Sequence, residues 1–347
     1  MIIKKPYIEK RREKTCLCAK IVLPNGEKIM YFEVENRWAE YLCDETADAF
    51  LIGLLNYAMS KGYGVKCEAP ITAHLLYQVK TYVIPTLGSG VRKGCKRISI
   101  DAPIYMGEIR NASAVGTSAS GGVDSFYTIS RHTRNNVSKQ YKLTHLLIAN
   151  QFNIYKDETS TRQKFENLII EQKPIAENYG LDFIGMYTNH HEFMFNGFVQ
   201  EYSFRICSYV LALQKLFHVY YVSSGVAFRD FDFNNHDSDG SDAFNLPLVS
   251  TNGLTFYSSG GERMRSDKIA YFVDDPYIQK KLYVCNTGGL HNCNQCEKCL
   301  RTMTSLDILG KLHLYNQTFD VEEYQKRKKK FYGRMLADEY EASLDLK

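Results

Sequence analysis

The chain has little of what marks a membrane, secreted or fibrous protein. No apolar run approaches the ~20 residues that cross a bilayer, and the opening stretch MIIKKPYIEKRREK is charged where a secretory signal is apolar. No internal repeat or low-complexity tract is present, which argues against solenoid and largely disordered architectures. Charge of one sign is not in excess either. Lys and Arg number 43 against 39 Asp and Glu, a net charge of +4, which permits contact with a nucleotide or a nucleic acid without requiring it. The expected setting is the cytoplasm, with no membrane partner. In that reducing compartment the ten cysteines are not expected to form a disulfide framework, and a tight cluster among them reads as a metal site or as catalytic thiols.

What is present is an ordinary globular composition, 44% hydrophobic and 24% charged over 347 residues, enough for a large domain with a smaller one beside it. Residues 1–112 read as a small α+β region. Two strands flank the turn Pro24-Asn25-Gly26, helical patterns cover 46–61 and 71–87, and KRISIDAPIYM has strand character. From 113 to 283 short apolar strands (SAVGT, THLLIAN, LDFIGMYT, HVYYVSSG) alternate with longer amphipathic helices. That alternation implies an α/β fold with a doubly wound, mainly parallel sheet covered on both faces. Ligands bind such sheets at the carboxyl ends of the strands. Residues 284–347 carry a cysteine cluster and C-terminal helices.

Two polar stretches invite a functional reading and are given a modest one. RDFDFNNHDSDGSDAFN has the length and composition of a mobile loop, a lid candidate more than a metal site. His190, His191 and Glu192 are adjacent, and neighbours on a strand point to opposite faces, so they do not make one site by themselves.

The glycine pair Gly121-Gly122 sits between an apolar run and a helix, flanked by Ser118, Ser120 and Ser125 and followed by Asp124. Without side chains the two glycines let a ligand reach the backbone, and successive amides at a helix start suit a phosphate. The loop is neither a Gly-x4-Gly-Lys-Ser/Thr loop nor a Gly-x-Gly-x-x-Gly fingerprint. Late in the chain, Cys285, Cys293, Cys296 and Cys299 make C-x7-C-x2-C-x2-C, with Gly288-Gly289 as a turn between the first two. Four thiolates can close a tetrahedral zinc site with no position left for water, although spacing alone leaves an iron–sulfur cluster open. His291 lies beside them and reads as solvent-facing. Gly225, ending HVYYVSSG, is placed to let a ligand approach the backbone after a strand.

Ser120-Gly121-Gly122-Val123-Asp124-Ser125 resembles the S-G-G-x-D-S signature of the PP-loop ATP pyrophosphatases, and with the cysteine spacing the chain resembles the 7-cyano-7-deazaguanine synthase branch over 114–310. It is also similar to synthase-like bacterial proteins that share GGVDSFYT and NCNQCEKCLRTM-like segments behind an N-terminal extension. The resemblance implies an adenine nucleotide alpha hydrolase-like fold with a zinc lobe, and ATP, Mg2+ and Zn2+ as cofactors. It implies that Ser118, Ser120, Gly121, Gly122, Val123, Asp124 and Ser125 hold the phosphates, and that Ile148, Ala149, Asn150 and Gly225 lie near the nucleotide. Asp124, Arg205 and Lys268 are the implied catalytic residues, Asp124 acting through magnesium or by fixing the loop amides and Lys268 by neutralising phosphate charge.

The implied activity is an AMP-forming ligase that adenylylates a carboxylate or carbonyl oxygen, after which a nitrogen nucleophile displaces AMP. No cysteine lies in or just beyond the helix after the loop to carry sulfur, and Cys207 is the one core cysteine of this region outside the cluster, which argues mildly for nitrogen transfer over base thiolation. A non-catalytic nucleotide-binding module, as in a bacterial defence system, is the alternative of a different class. The extension at 1–112 has no motif that names its ligand; shaping the pocket, forming a homodimer, or docking a protein or nucleic acid are its open roles.

Overall fold

The computed structural model describes residues 1–91, 94–150, 157–193, 198–233, 238–285, 287 and 291–336. It opens with strands β1 (Ile2–Ile3), β2 (Tyr7–Arg11), β3 (Lys14–Leu23) and β4 (Gly26–Glu35), the last two forming the hairpin expected around Pro24-Asn25-Gly26. Helix α1 (Asp48–Lys61), β5 (Val65–Cys67) and β6 (Ile71–Thr72) follow. The helical pattern over 71–87 is realised as α2 (Ala73–Gln78), a π-helical turn (Val79–Val83), α3 (Ile84–Thr86) and a second π turn (Leu87–Val91). Pro85 in α3 lacks the amide that an unbroken α ladder needs, and the ladder widens just before it. KRISIDAPIYM yields two short strands, β7 (Ile100–Asp101) on β5 and β8 (Ile104–Tyr105) on β6. Pro103, which cannot donate to a ladder, stands between them and accepts from Ile71 N at 3.0 Å.

The α/β part runs β9 (Ala114–Thr117), α4 (Val123–Thr133), β10 (His145–Ala149), α5 (Glu158–Tyr179), β11 (Asp182–Thr188), α6 (Phe198–Ala212), β12 (Phe217–Ser223), α7 (Asp242–Leu248) and β13 (Thr255–Ser259). Helices α8 (Arg265–Phe272), α9 (Pro276–Lys281), α10 (Glu297–Ile308) and α11 (Val321–Leu336) close the described chain. The five strands lie in the order β13-β12-β9-β10-β11, every neighbouring pair parallel. Alternate side chains go to opposite faces. Val115, Leu146 and Val219 pack with Phe126 of α4 and Phe165 of α5, while Leu147, Ile184 and Tyr220 pack with Phe204 of α6 and Leu246 of α7. Successive connections therefore cover one face and then the other, and the order reverses between β9 and β12.

The expectation of a mainly parallel sheet is corrected by what lies beyond β11. Its Tyr187 and Thr188 pair antiparallel with Glu33 and Phe32 of β4, so the sheet continues through β4, β3, β1, β5 and β7 as one mixed, 11-stranded sheet, with β2 on β3. Period-2 patterning signals a strand but not the direction of its neighbour. Residues on both sides of position 112 thus share one sheet and one apolar layer, in which α1 packs on α6. Gly53 permits that approach: a Cβ there would lie 2.5 Å from Ser208 Oγ, a hydroxyl that donates to Ala49 O at 2.8 Å.

Of the polar stretch read as a mobile loop, residues 229–232 are exposed, but the second half is largely interior. Ser238, Ser241, Asp242 and Asn245 are buried. Ser203 Oγ of α6 donates to Asp242, and Asn245 Nδ2 donates to Ser241 Oγ at 2.8 Å. Polar composition here reflects internal hydrogen bonding rather than solvation; positions 234–237 of the stretch lie outside the described residues.

Gly53→Val tests the shared layer. Forcing two methyls against Ser208 and Met30 is expected to destabilise the fold by about 1–3 kcal/mol, seen as a lower urea midpoint. Because the layer is common to both parts, tyrosine fluorescence and far-ultraviolet dichroism should still report one coincident transition.

Candidate functional site

The glycine loop joins the carboxyl end of β9 to α4, at the point where strand order reverses. Gly121 has φ +74°, a left-handed conformation that side chains resist, and Gly122 caps α4 with extended backbone. A Cβ on Gly121 would meet nothing closer than 3.9 Å, so conformation rather than crowding calls for glycine there. Ser120 and Ser125 hydroxyls lie 3.2 Å apart, Ser125 Oγ donates to Gly122 O at 3.1 Å, and Gly122 N reaches Ser120 Oγ at 3.4 Å. The result is a small polar turn, hydrogen-bonded within itself, at the start of an 11-residue helix, where an anion is favoured by the helix dipole.

Asp124 is the acidic residue in the first turn of that helix, and it is held from two sides. Lys268 Nζ donates to its Oδ1 at 2.8 Å and Arg265 Nη1 to its Oδ2 at 2.9 Å. Lys268 is 2% exposed and donates also to Ser224 O, just past β12, at 2.7 Å. Burial pushes the Asp124 carboxyl up, but the Lys268 ammonium and then the Arg265 guanidinium outweigh it and hold the group at about 2. Both carboxylate oxygens are engaged, which fits a role in fixing the loop and its cations better than a role as a magnesium ligand. Arg265 was not singled out from the sequence; its signal was the i, i+3 spacing to Lys268 at a helix start.

Asp124 and Arg265 line a cleft of about 1610 Å3, whereas the buried Lys268 lies off its wall, paired to Asp124. The cleft wall includes Ser118, Ser120, Gly121, Gly122, Val123, Asp124 and Ser125, together with Ile148, Ala149 and Gly225 from the ends of β10 and β12. Ser118 Oγ shares a hydrogen bond with Tyr220 OH at 2.8 Å. Asn150 turns away from the wall, its carboxamide exchanging two 2.9 Å bonds with the backbone of Thr188. Arg205 does not line the cleft: its side chain is buried with Nε donating to Tyr209 OH at 3.1 Å, next to His190, which burial and then the Arg205 charge push down to about 3. Helix α6 is covered by α1 and the sheet along this face, so the position that the resemblance nominated as catalytic is interior. His190 itself contacts Gly53 O, and Glu192 pairs with Lys28; neither joins a common site.

The four cysteines of the late cluster do come together. The sulfurs of Cys285, Cys293, Cys296 and Cys299 all lie within 4.8 Å of one another, Cys293 and Cys299 at 3.9 Å. A tetrahedron with sulfurs ~2.3 Å from a zinc ion has edges of about 3.8 Å, so the set fits such an ion. Gly288 and Gly289 lie outside the described residues. Asn292, a residue sequence reading passed over, organises the first two ligands: its Oδ1 accepts from Val284 N and Cys285 N at 2.8 and 3.2 Å, and its Nδ2 donates to Leu282 O at 2.9 Å. Cys285 and Asn292 also line the cleft, so the metal lobe forms one of its walls. Among the described residues, no helix is long and apolar enough to cross a membrane.

Purified protein is expected to carry about one zinc per chain, and Cys296→Ser should lower both metal content, read by elemental analysis, and the melting temperature, because three remaining thiolates leave the site open. A second expectation concerns pH. The Asp124 value in the folded chain lies below its unfolded value of about 4, so the ion cluster stabilises fully above that value and loses its contribution as pH falls toward about 2. Urea unfolding of wild type should lose on the order of 2 kcal/mol more between pH 4 and pH 2 than unfolding of Asp124→Asn.

Compared with protein-family models, with curated proteins and with solved structures, the chain matches none in any of the three.

Proposed function

We propose that the protein is an ATP-dependent, AMP-forming ligase of the PP-loop type. One observation carries the reading: a glycine loop with flanking serine hydroxyls lines a large cleft at a helix start, at the point where the parallel strands reverse order, with Arg265 on the cleft wall and Lys268 paired to Asp124. In this reading the amides of Gly121, Gly122 and Val123, with Ser120 and Ser125, receive the β- and γ-phosphates. Arg265, which lines the cleft, and Lys268 supply positive charge, and Asp124 keeps both in place. The adenine lies against Ile148 and Ala149. Magnesium, when it accompanies the nucleotide, neutralises phosphate charge.

The chemistry is the attack of a substrate carboxylate oxygen on the α-phosphorus with departure of pyrophosphate, then attack of a nitrogen nucleophile on the activated carbon with departure of AMP. The cleft exceeds the ~300–1,000 Å3 of an ordinary small-molecule pocket, which leaves room for an acceptor beside the nucleotide. Nitrogen is favoured over sulfur because Cys207 is fully buried in α6 and burial pushes its thiol well above the ordinary value, so it is no ready thiolate carrier.

The test is calorimetric titration with ATP and magnesium, followed by chromatography of products with candidate carboxylates and ammonia. Gly121→Val, which must leave φ +74°, is expected to weaken ATP binding at least about tenfold with metal content unchanged. Asp124→Asn should cut AMP formation about 10–100-fold while affecting ATP affinity less. ADP with phosphate as products would reject adenylylation, and ATP binding with no turnover on any acceptor would favour a nucleotide-docking module.

A further inference from the structure

The metal cluster and the glycine loop are joined by backbone. Tyr283, two residues before Cys285, donates its amide to Gly121 O at 2.9 Å. The segment carrying that amide is gripped by Asn292, immediately before Cys293, through Leu282 O, Val284 N and Cys285 N, while Asn292 Nδ2 also reaches Thr318 O at 3.2 Å. From metal ligand to phosphate loop the path is therefore two hydrogen-bonded steps. A trans peptide is planar, so holding the Gly121 carbonyl toward Tyr283 also fixes the direction of the Gly122 amide on the opposite side of the same plane. Two successive glycines otherwise allow that plane to turn over with little steric resistance.

We propose that the four-cysteine site sets the glycine loop through the relay Asn292, Tyr283 N and Gly121 O, so that metal occupancy and nucleotide affinity are coupled. The proposal rests on the reading that the loop binds ATP. With Cys285 and Cys293 bound to one ion, the segments holding Tyr283 and Asn292 are locked together, and the Gly121-Gly122 plane keeps one orientation. Without the ion, the Leu282–Cys285 backbone keeps Asn292 and the Leu282 N to Ile278 O bond but loses its tie to Cys293 through the metal, and the Gly121-Gly122 plane gains a second orientation. Tyr283 and Asn292 are positioning residues here. By linkage the coupling is reciprocal: nucleotide must tighten the metal by the factor by which metal tightens nucleotide.

The experiment is titration of ATP with magnesium into metal-loaded and chelator-stripped wild type, and into metal-loaded Tyr283→Ala and Tyr283→Pro. Alanine keeps the relay amide and proline removes it; Leu282, with φ −61° and ψ 114°, already has the backbone that a residue before proline adopts. Tyr283→Pro is expected to keep its zinc yet bind ATP at least about tenfold more weakly than Tyr283→Ala. Stripped wild type should show a similar loss, reversed by zinc, and ATP should retard zinc transfer to a chromogenic chelator. Wild-type affinity in folded, stripped protein, or equal affinities of the alanine and proline variants, would overturn the coupling. If stripping unfolds the chain, the proline and alanine pair decides. Failure of metal-loaded wild type to bind ATP at all would instead remove the nucleotide reading, and this inference with it.

Discussion

A carboxylate clamped between two cations holds the candidate site together. Asp124 belongs to the first turn of α4, Lys268 and Arg265 to α8, and Ser224, which takes the other Lys268 hydrogen bond, to the end of β12. Three elements that are distant in sequence are thereby fixed around one loop. A buried charge pair contributes little to stability when intact but is costly to break from one side, because the survivor is left uncompensated. The value of this cluster lies in geometry: it holds two cations at fixed positions around the first turn of α4.

The loop is held from its other side by neutral hydrogen bonds, and the contrast is informative. The charged clamp acts on the helix that follows the glycines, whereas the Tyr283 amide acts on the glycine carbonyl itself. One fixes where the turn sits and the other fixes which way its peptide faces. Both restraints come from the C-terminal third of the chain, so the turn is tied to residues far from it in sequence.

Much of this was legible in sequence where the chemistry is local. The Gly121-Gly122 pair and the four cysteines announce themselves by spacing, and the strand–helix alternation from 113 onward named the layers correctly. What escaped was non-local. Lys268 and Asp124 could each be nominated but their pairing across 144 positions could not, and Arg265 and Asn292 carry no motif. Arg205 was nominated by the family resemblance, yet α6 is covered on the face that carries it, which a motif match does not reveal. The mixed character of the sheet escaped for the same reason, since nothing within β11 states that its next neighbour is the antiparallel β4. Buried Ser238, Ser241 and Asp242 looked like part of a mobile loop because composition does not distinguish polar groups bonded to water from those bonded to one another.

The junction of β11 with β4 has a consequence for the molecule's behaviour in company. An open parallel block leaves two outer strands with unpaired amides and carbonyls, each a template for a foreign strand. Here the β11 side is occupied by the chain's own N-terminal hairpin, and the opposite rim, β13, is a strand of only five residues. The first third of the protein therefore serves as a molecular selvedge. It finishes the fabric of the sheet on the side where unravelling or mispairing would begin, whatever else it contributes to recognition.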